Sequence, residues 1–267
     1  MYERGDEKNM ADFLTQTWMV TNKSNICVTW PGGYIQGIFF KPSLFDNNPE
    51  LPYLQGRVFT EPTKRKGVIV TTDIKTATKV AFTEKDWAED KNIAAYAALF
   101  SSAIPFAFLY RDYGNYTFID GGWSESMDVE DAVLRCREEV EDDSDIIVDV
   151  IWCFNHTLTM GDTSGYNGLQ MWSRAKDIQK WRTGTFIYNY TVQAFPDVNW
   201  RYAMIPSHKP PFEILPLEFN DKKTQTMINT GESDALNALN EGENISHERM
   251  LKYSQKFIDN TFYNKRQ

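Results

Sequence analysis

The stretch Tyr116–Gly122, YTFIDGG, ends a strand candidate on an aspartate that is followed by two glycines. A helical pattern comes next, because apolar residues recur at the i, i+3, i+4, i+7 spacing of one helix face. Beyond it, Asp145–Phe154, DIIVDVIWCF, is a nearly continuous apolar run, which is typical of a parallel strand covered on both faces. This order of strand, helix and strand predicts an α/β domain with a largely parallel sheet. The residues on the helix face are Val129, Ala132, Val133, Cys136 and Val140.

The rest of the chain continues the alternation of helices and strands, and we expect one compact domain over residues 1–267. Glycine and proline in Trp30–Gly37, WPGGYIQG, instead predict a structural loop. Strands are predicted at Gly67–Ile74, Lys79–Thr83 and Tyr202–Ile205. Helices are predicted at Asp6–Met19, Glu84–Ser101, Gly168–Trp181, Asp234–Leu239 and Ser246–Asp259.

Composition argues against several functional classes. A net charge of -9 and a pI near 5.0 are unfavourable for a nucleic-acid binder, which needs clustered lysine and arginine. No apolar run approaches the roughly 18 residues of a membrane-spanning helix. The three cysteines have no CxxC spacing and the three histidines no ligand spacing, so we expect no metal site and surface or loop positions for the histidines. The first residues lack the apolar segment of a signal peptide, which predicts a cytoplasmic location if Met1 is the true start.

Asp120 has two interpretations. Asp-Gly is a strong turn signal, because both residues tolerate positive φ, and this favours a hairpin turn. The alternative is a functional carboxylate, because the aspartate ends a strand ahead of a helix, where α/β folds expose their active groups.

The residues around Asp120 favour the second interpretation. Ser101–Phe108, SSAIPFAF, precedes FIDGG by about a dozen residues, and Val68–Phe82 reads VIVTTDIKTATKVAF. Together with DIIVDVIWCF, these segments resemble the small-residue, Thr-Asp and Asp-Gly-Gly segments of the patatin-like phospholipases. The resemblance implies a three-layer α/β/α fold with a largely parallel central sheet, and hydrolysis of lipid esters.

The resemblance also implies roles for individual residues. Members of that family use a serine and aspartate dyad without histidine, metal or cofactor, so Asp120 becomes the proton acceptor and Gly121 and Gly122 complete its motif. Phe106 and Phe108 lie near this position in sequence, and we expect them to contact an acyl chain. The implied partner is a lipid substrate at a membrane surface.

The serine half of the dyad is not readable in this sequence. No G-x-S-x-G occurs: GESDA, Gly231–Ala235, lacks the last glycine, and GDTSG, Gly161–Gly165, places its serine one position late. The segment YERGDEKNMADFLTQTW resembles the part of the family that follows the nucleophile helix. We therefore expect that the chain lacks the first strands of the fold, is inactive as printed, and exposes apolar surface that makes it unstable alone.

Two other functions compete with the hydrolase. The chain is in one case a non-catalytic pseudoenzyme that binds a lipid or a partner protein. In the other, Asp120 and Glu125 form a carboxylate pair of the kind used in glycoside hydrolysis, although carboxylates alone are too common to support this.

Overall fold

A computed structural model describes residues 7–60, 65–90, 92–153, 164–207 and 220–263. The chain divides into two compact units, and the single domain over residues 1–267 stays a prediction. Unit 1 comprises Met1–Asp128 and Leu215–Thr226, and unit 2 comprises Val129–Ile214 and Met227–Gln267. Helices and strands occur in both units, so the prediction of a mixed α/β protein is confirmed.

Unit 1 contains six helices and six strands within its described residues. The helices are α1 Glu7–Val20, α2 Lys23–Ile26, α3 Gly33–Phe40, α4 Glu50–Tyr53, α5 Glu84–Glu89 and α6 Asn92–Ser101, with a π-helical turn at Leu54–Val58. The strands are β1 Val28–Thr29, β2 Phe45–Asp46, β3 Val68–Asp73, β4 Thr78–Thr83, β5 Arg111–Tyr113 and β6 Tyr116–Asp120.

The larger sheet of unit 1 has the strand order β4-β3-β6-β5, and every neighbouring pair is antiparallel. Thr71 is opposite Asp120 in the register of β3 with β6. The predicted largely parallel sheet is therefore wrong for this part of the chain. The pairs β3–β4 and β5–β6 are hairpins with short connections. A parallel pair would need a long crossover connection instead.

The core of unit 1 lies between this sheet and α6, which packs on β3 and β6. Phe118 is fully buried, and its ring stacks on that of Phe100 with centroids 5.0 Å apart. The buried Ala94, Ala95 and Ala97 let the helix approach the strands closely. The single helix predicted at Glu84–Ser101 is instead two, because Asp90 has an extended backbone between α5 and α6.

The prediction of a structural loop at Trp30–Gly37 is wrong, because the helix α3 begins at Gly33 within this segment. Gly33, at φ +68°, makes the turn into this helix, and its N–H donates to the carbonyl oxygen of Trp30. The helix ends with two strongly exposed aromatic rings, Phe39 (73% exposed) and Phe40 (77%). Among the helices described, none has both the length and the apolar character required to cross a membrane.

Unit 2 contains one pair of parallel strands and four helices within its described residues. The elements are α7 Val129–Cys136, β7 Ile147–Ile151, α8 Gly168–Ala194, β8 Asn199–Met204, α9 Asp221–Glu241, whose residues from Met227 onward belong to this unit, and α10 Ile245–Tyr263. Strands β7 and β8 are parallel, as the apolar run of β7 indicated. The prediction that both faces of β7 are covered is wrong, however, because burial alternates along the strand and leaves Ile147 and Ile151 exposed.

The core of unit 2 is aromatic. Tyr188 is fully buried between Trp152 and Trp200, and its hydroxyl lies 2.6 Å from Nδ1 of His247. The ring of His247 also stacks on Trp200. The prediction that His247 has a surface or loop position is therefore wrong, since an aromatic cluster with a buried hydroxyl accommodates the imidazole. His156 and His208 lie outside the described residues.

Candidate functional site

Asp120 is the last residue of β6 and caps a 3-10 turn, Gly121–Trp123. Its Oδ1 accepts a hydrogen bond of 2.7 Å from the backbone N–H of Gly122. The chain continues toward α7 and does not fold back as a hairpin at this point; the hairpin turns of the sheet join β3 to β4 and β5 to β6. Asp120 therefore does not occupy a hairpin turn, and it presents a half-buried carboxylate at a strand end.

Three segments that are distant in sequence meet at the backbone of Asp120. Its N–H donates a hydrogen bond of 3.0 Å to the carbonyl oxygen of Ala103, in the loop after α6. Its own carbonyl oxygen accepts a hydrogen bond of 2.9 Å from Oγ1 of Thr72 in β3. The Thr-Asp strand, the Ala-Ile-Pro loop and the Asp-Gly-Gly turn thus form one connected structure.

Gly121 is required by close packing. A Cβ at this position would lie 2.1 Å from the carbonyl oxygen of Val70, a backbone atom that cannot move aside. A Cβ on Gly122 would lie 3.0 Å from Oδ1 of Asp120, the atom that its N–H holds. Both glycines therefore allow the turn to wrap closely around the carboxylate and the β3 strand.

Ser124 extends this structure, and sequence reasoning did not identify it. Its backbone N–H donates to Oγ1 of Thr72 at 3.1 Å, and its own hydroxyl donates to the carbonyl oxygen of Gly121 at 3.2 Å. Its position two residues after the second glycine was the available signal, because serine commonly bonds to backbone groups of a nearby turn.

Asp73, the aspartate of the Thr-Asp dipeptide, has a structural role. Its side chain is buried and accepts hydrogen bonds from the backbone N–H of Thr117 at 2.9 Å and from Oγ1 of Thr76 at 2.6 Å. These bonds hold the pKa of the Asp73 carboxyl below its ordinary value, because they stabilise the charged form. The carboxylate closes the β3–β4 turn and attaches it to β6.

The two phenylalanines predicted to contact substrate have different environments. Phe106 is 59% exposed, whereas Phe108 is buried in a core cluster with Cys27, Leu44 and Phe45. Phe108 therefore packs against other side chains. The predicted contact with an acyl chain stays a prediction, and of the two rings that of Phe106 is accessible to a ligand.

Glu125, the second carboxylate of the glycosidase hypothesis, belongs to an ion-pair cluster. Nζ of Lys79 lies 3.0 Å from Glu125 and 3.1 Å from Asp128. The ion pair with Lys79 gives Glu125 a structural role that does not require catalysis. Across the described ranges, no cluster of three or more His, Cys, Asp or Glu side chains is arranged to hold a metal ion.

Of the two near matches to G-x-S-x-G considered in the sequence, Gly231–Ala235 does not form a nucleophile turn. Gly231–Ala235 lies inside the long helix α9, with no strand before it. Gly161–Thr163 of the second motif lie outside the described residues.

Comparison with known proteins gives no assignment: no protein-family model matches the chain, and no curated protein matches it.

Proposed function

We propose that unit 1 carries the aspartate half of a patatin-like lipid acyl hydrolase site, with Asp120 as the proton acceptor for a serine nucleophile. The three-layer arrangement of that family belongs to the same proposal. Lipid esters are the proposed substrates.

The convergence of the three resembling segments on Asp120 is the observation that carries this proposal. Ala103 and Thr72 each bond to the backbone of Asp120, although they lie on separate segments of the chain. Sequence likeness alone did not require these segments to be neighbours. Their contact supports a common origin as one site, because a catalytic carboxylate must be held rigidly by the elements around it.

The proposed chemistry needs a carboxylate at a fixed position. The serine hydroxyl attacks the ester carbonyl carbon while its proton passes to Asp120, and the alcohol then leaves with that proton. Water next attacks the acyl-serine and gives a proton to Asp120, which returns it to the serine oxygen as the fatty acid leaves. The N–H of Gly122 orients the carboxylate by holding Oδ1.

The backbone of Phe106 supports a ligand-contacting role for its ring. Its φ of +73° lies in the left-handed region, which is unfavourable for a bulky residue. Its carbonyl oxygen accepts a hydrogen bond of 2.7 Å from the N–H of Leu44, which fixes this conformation, yet the ring is mostly exposed. A strained backbone conformation that does not bury the side chain is typical of functional positions.

The exposed face of α3 is evidence for binding to a lipid surface. Five of its eight residues are large, apolar and exposed: Tyr34, Ile35, Ile38, Phe39 and Phe40. Lys41 follows the helix directly, and its Nζ lies 4.9 Å from the ring centroid of Trp30. An apolar helix with an adjacent lysine suits an interface with anionic headgroups, because the rings enter the acyl region while the lysine pairs with phosphate.

Hydrolysis of a lipid ester tests the proposal, measured for the 267-residue chain and for the protein that its gene encodes. We expect the gene product to release fatty acid from phospholipid or neutral-lipid vesicles and the printed chain to show no activity, since its sequence contains no G-x-S-x-G. A gene product without activity on any of these esters would contradict the hydrolase.

The alternative is a non-catalytic protein that binds lipid or a partner. The absence of G-x-S-x-G from this sequence favours it. Under this alternative the gene product binds vesicles through α3 and releases no fatty acid, so the same experiment separates the two functions.

A further inference from the structure

Unit 1 contains an apolar cavity of about 410 Å³. This volume lies within the range of about 300–1,000 Å³ that is usual for small-molecule sites. It is also far larger than the voids that close packing normally leaves in a protein interior. The walls come from α1, α4, the π-helical turn, β3, α5 and α6, and their aromatic side chains are Phe13, Trp18, Tyr53, Phe59 and Trp87.

The apolar side chains of the walls keep surface that the protein does not cover. Leu14, Leu54, Ile69 and Ala98 all line the cavity and are only partly buried. Covering such surface with an apolar molecule is favourable, because it removes the surface from water. The aromatic rings add further attraction for a ligand that is itself aromatic or conjugated.

The polar side chains of the walls bond to one another. Oγ1 of Thr21 donates a hydrogen bond of 2.7 Å to the carbonyl oxygen of Thr17, and the hydroxyl of Tyr53 lies 2.6 Å from the same Oγ1. The hydroxyl of Ser102 donates one of 2.7 Å to Oε1 of Glu50. A polar group on a ligand would therefore have to compete with bonds that the protein already makes.

Two further polar atoms of the wall residues cannot serve as ligand contacts. Oγ1 of Thr17 and Nε1 of Trp87 have no hydrogen-bond partner among the described residues, but both atoms are enclosed by protein and do not open into the cavity. A ligand with a hydroxyl or amide group would thus lose its hydrogen bonds to water without replacement. Such a loss is costly, so the cavity selects against polar ligands.

Charged ligands are disfavoured as well. The acidic side chain on the wall, Glu50, repels an anion. Burial raises the pKa of the Glu50 carboxyl, because this environment disfavours charge. A cation would lose its hydration beside a carboxylate that already accepts a hydrogen bond of 3.1 Å from Asn47 and that Arg111 stabilises by its charge. These groups favour a neutral ligand.

We propose that this cavity binds a neutral, hydrocarbon-like molecule without hydrogen-bonding groups, which packs against the aromatic walls. The site goes beyond the proposed hydrolase and is independent of it, because Asp120 does not line the cavity. The ligand does not react, so its binding requires neither Asp120 nor a serine nucleophile.

Titration of the 267-residue chain with diphenylhexatriene tests the site. This probe is a neutral conjugated hydrocarbon whose fluorescence rises in apolar surroundings. We expect saturable binding of diphenylhexatriene, and at least about tenfold weaker binding of its trimethylammonium and propionate derivatives, which carry a positive and a negative charge. No saturable binding of the hydrocarbon, or equal affinity for either charged derivative, would overturn the proposal.

Variants of Ala98 separate the cavity from the exposed surface of the protein. Ala98→Leu and Ala98→Phe place larger apolar side chains on the cavity wall, so affinity for diphenylhexatriene should fall by about threefold and about tenfold. The melting temperature should stay the same or rise in Ala98→Leu, because this change fills a cavity.

Phe39→Ser is the matched control, because it removes an exposed ring of α3 that does not line the cavity. Its affinity for diphenylhexatriene should stay within about twofold of wild type. Unchanged affinity in Ala98→Leu, or an equal loss in Phe39→Ser, would overturn the assignment of the probe to the cavity.

Discussion

The backbone N–H of Asp120 and the carbonyl oxygen of Ala103 form a hydrogen bond of 3.0 Å. This bond fixes the end of β6 against the loop that follows α6. Backbone contacts therefore help to position the carboxylate. Substitutions that disturb the backbone here should affect the fold, whereas those that change only the carboxylate should affect chemistry.

Gly121→Ala should destabilise unit 1 by about 1–3 kcal/mol, because the new methyl group overlaps the backbone of Val70. Urea unfolding measures this difference. Gly56→Ala is the matched control, since a Cβ there meets no atom within 4 Å, and its stability should stay the same or rise slightly. Equal stability of the two variants would show that the turn does not pack as closely as described.

Asp73→Asn should lower the stability of unit 1 at neutral pH, because a neutral amide accepts weaker hydrogen bonds from Thr76 and Thr117. The folded pKa of Asp73 is lowered from 3.8, so its contribution is complete above that value and is lost as the pH falls through the lower folded pKa. The difference in unfolding free energy between wild type and variant should therefore shrink below a pH of about 3.8. A difference that is constant from pH 7 to pH 3 would contradict this role.

Replacing Phe39 and Phe40 together by serine should weaken binding to phosphatidylserine vesicles by at least about tenfold, since burying a phenylalanine contributes about 1.5–3 kcal/mol. Vesicle sedimentation measures the affinity. Phe186→Ser is the matched control, because this ring is 68% exposed but lies on α8 in the other unit. Similar losses in both proteins would remove α3 from the lipid contact.

The stability of unit 2 should fall as the pH drops below about 6.5, because burial lowers the pKa of His247 from that value. The unfolded chain then binds the proton more readily than the folded one, and protonation also removes the acceptor capacity of Nδ1 toward the hydroxyl of Tyr188. Thermal unfolding between pH 8 and pH 5 checks this. The loss of thermal stability between pH 8 and pH 5 should be smaller in His247→Phe. An equal loss in this variant would show that other groups cause the effect.

Much of the order of elements could be predicted from the sequence. Residue patterns predicted α1, β3 and β6 to within a residue or so: apolar periodicity for the helix, and β-branched or aromatic residues for the strands. Strand direction could not be predicted in the same way, since it depends on whether a connection is a hairpin or a crossover. The parallel pair β7–β8 is joined by a long connection that contains α8, whereas β3–β4 is joined by a short turn.

The candidate site also contains some residues that the sequence identified and others that only the structure identified. Asp120, Gly121 and Gly122 stood out because they directly follow a strand candidate and resemble a family motif. The roles of Thr72 and Ser124 depend on hydrogen bonds across about 50 residues of sequence, which no local pattern encodes. Helix α3 was missed because its glycines indicated a loop, although most of its other residues are apolar.

Comparison of Asp120→Asn with Asp12→Asn in the protein that the gene encodes tests the central proposal most directly. Asp12 is an exposed aspartate on α1, so its variant controls for the loss of one negative charge. We expect kcat for lipid-ester hydrolysis to fall by about 10² or more in Asp120→Asn, with the melting temperature nearly unchanged, and to stay within about twofold in Asp12→Asn. Equal kcat in the two variants would contradict the assignment of Asp120 as the proton acceptor.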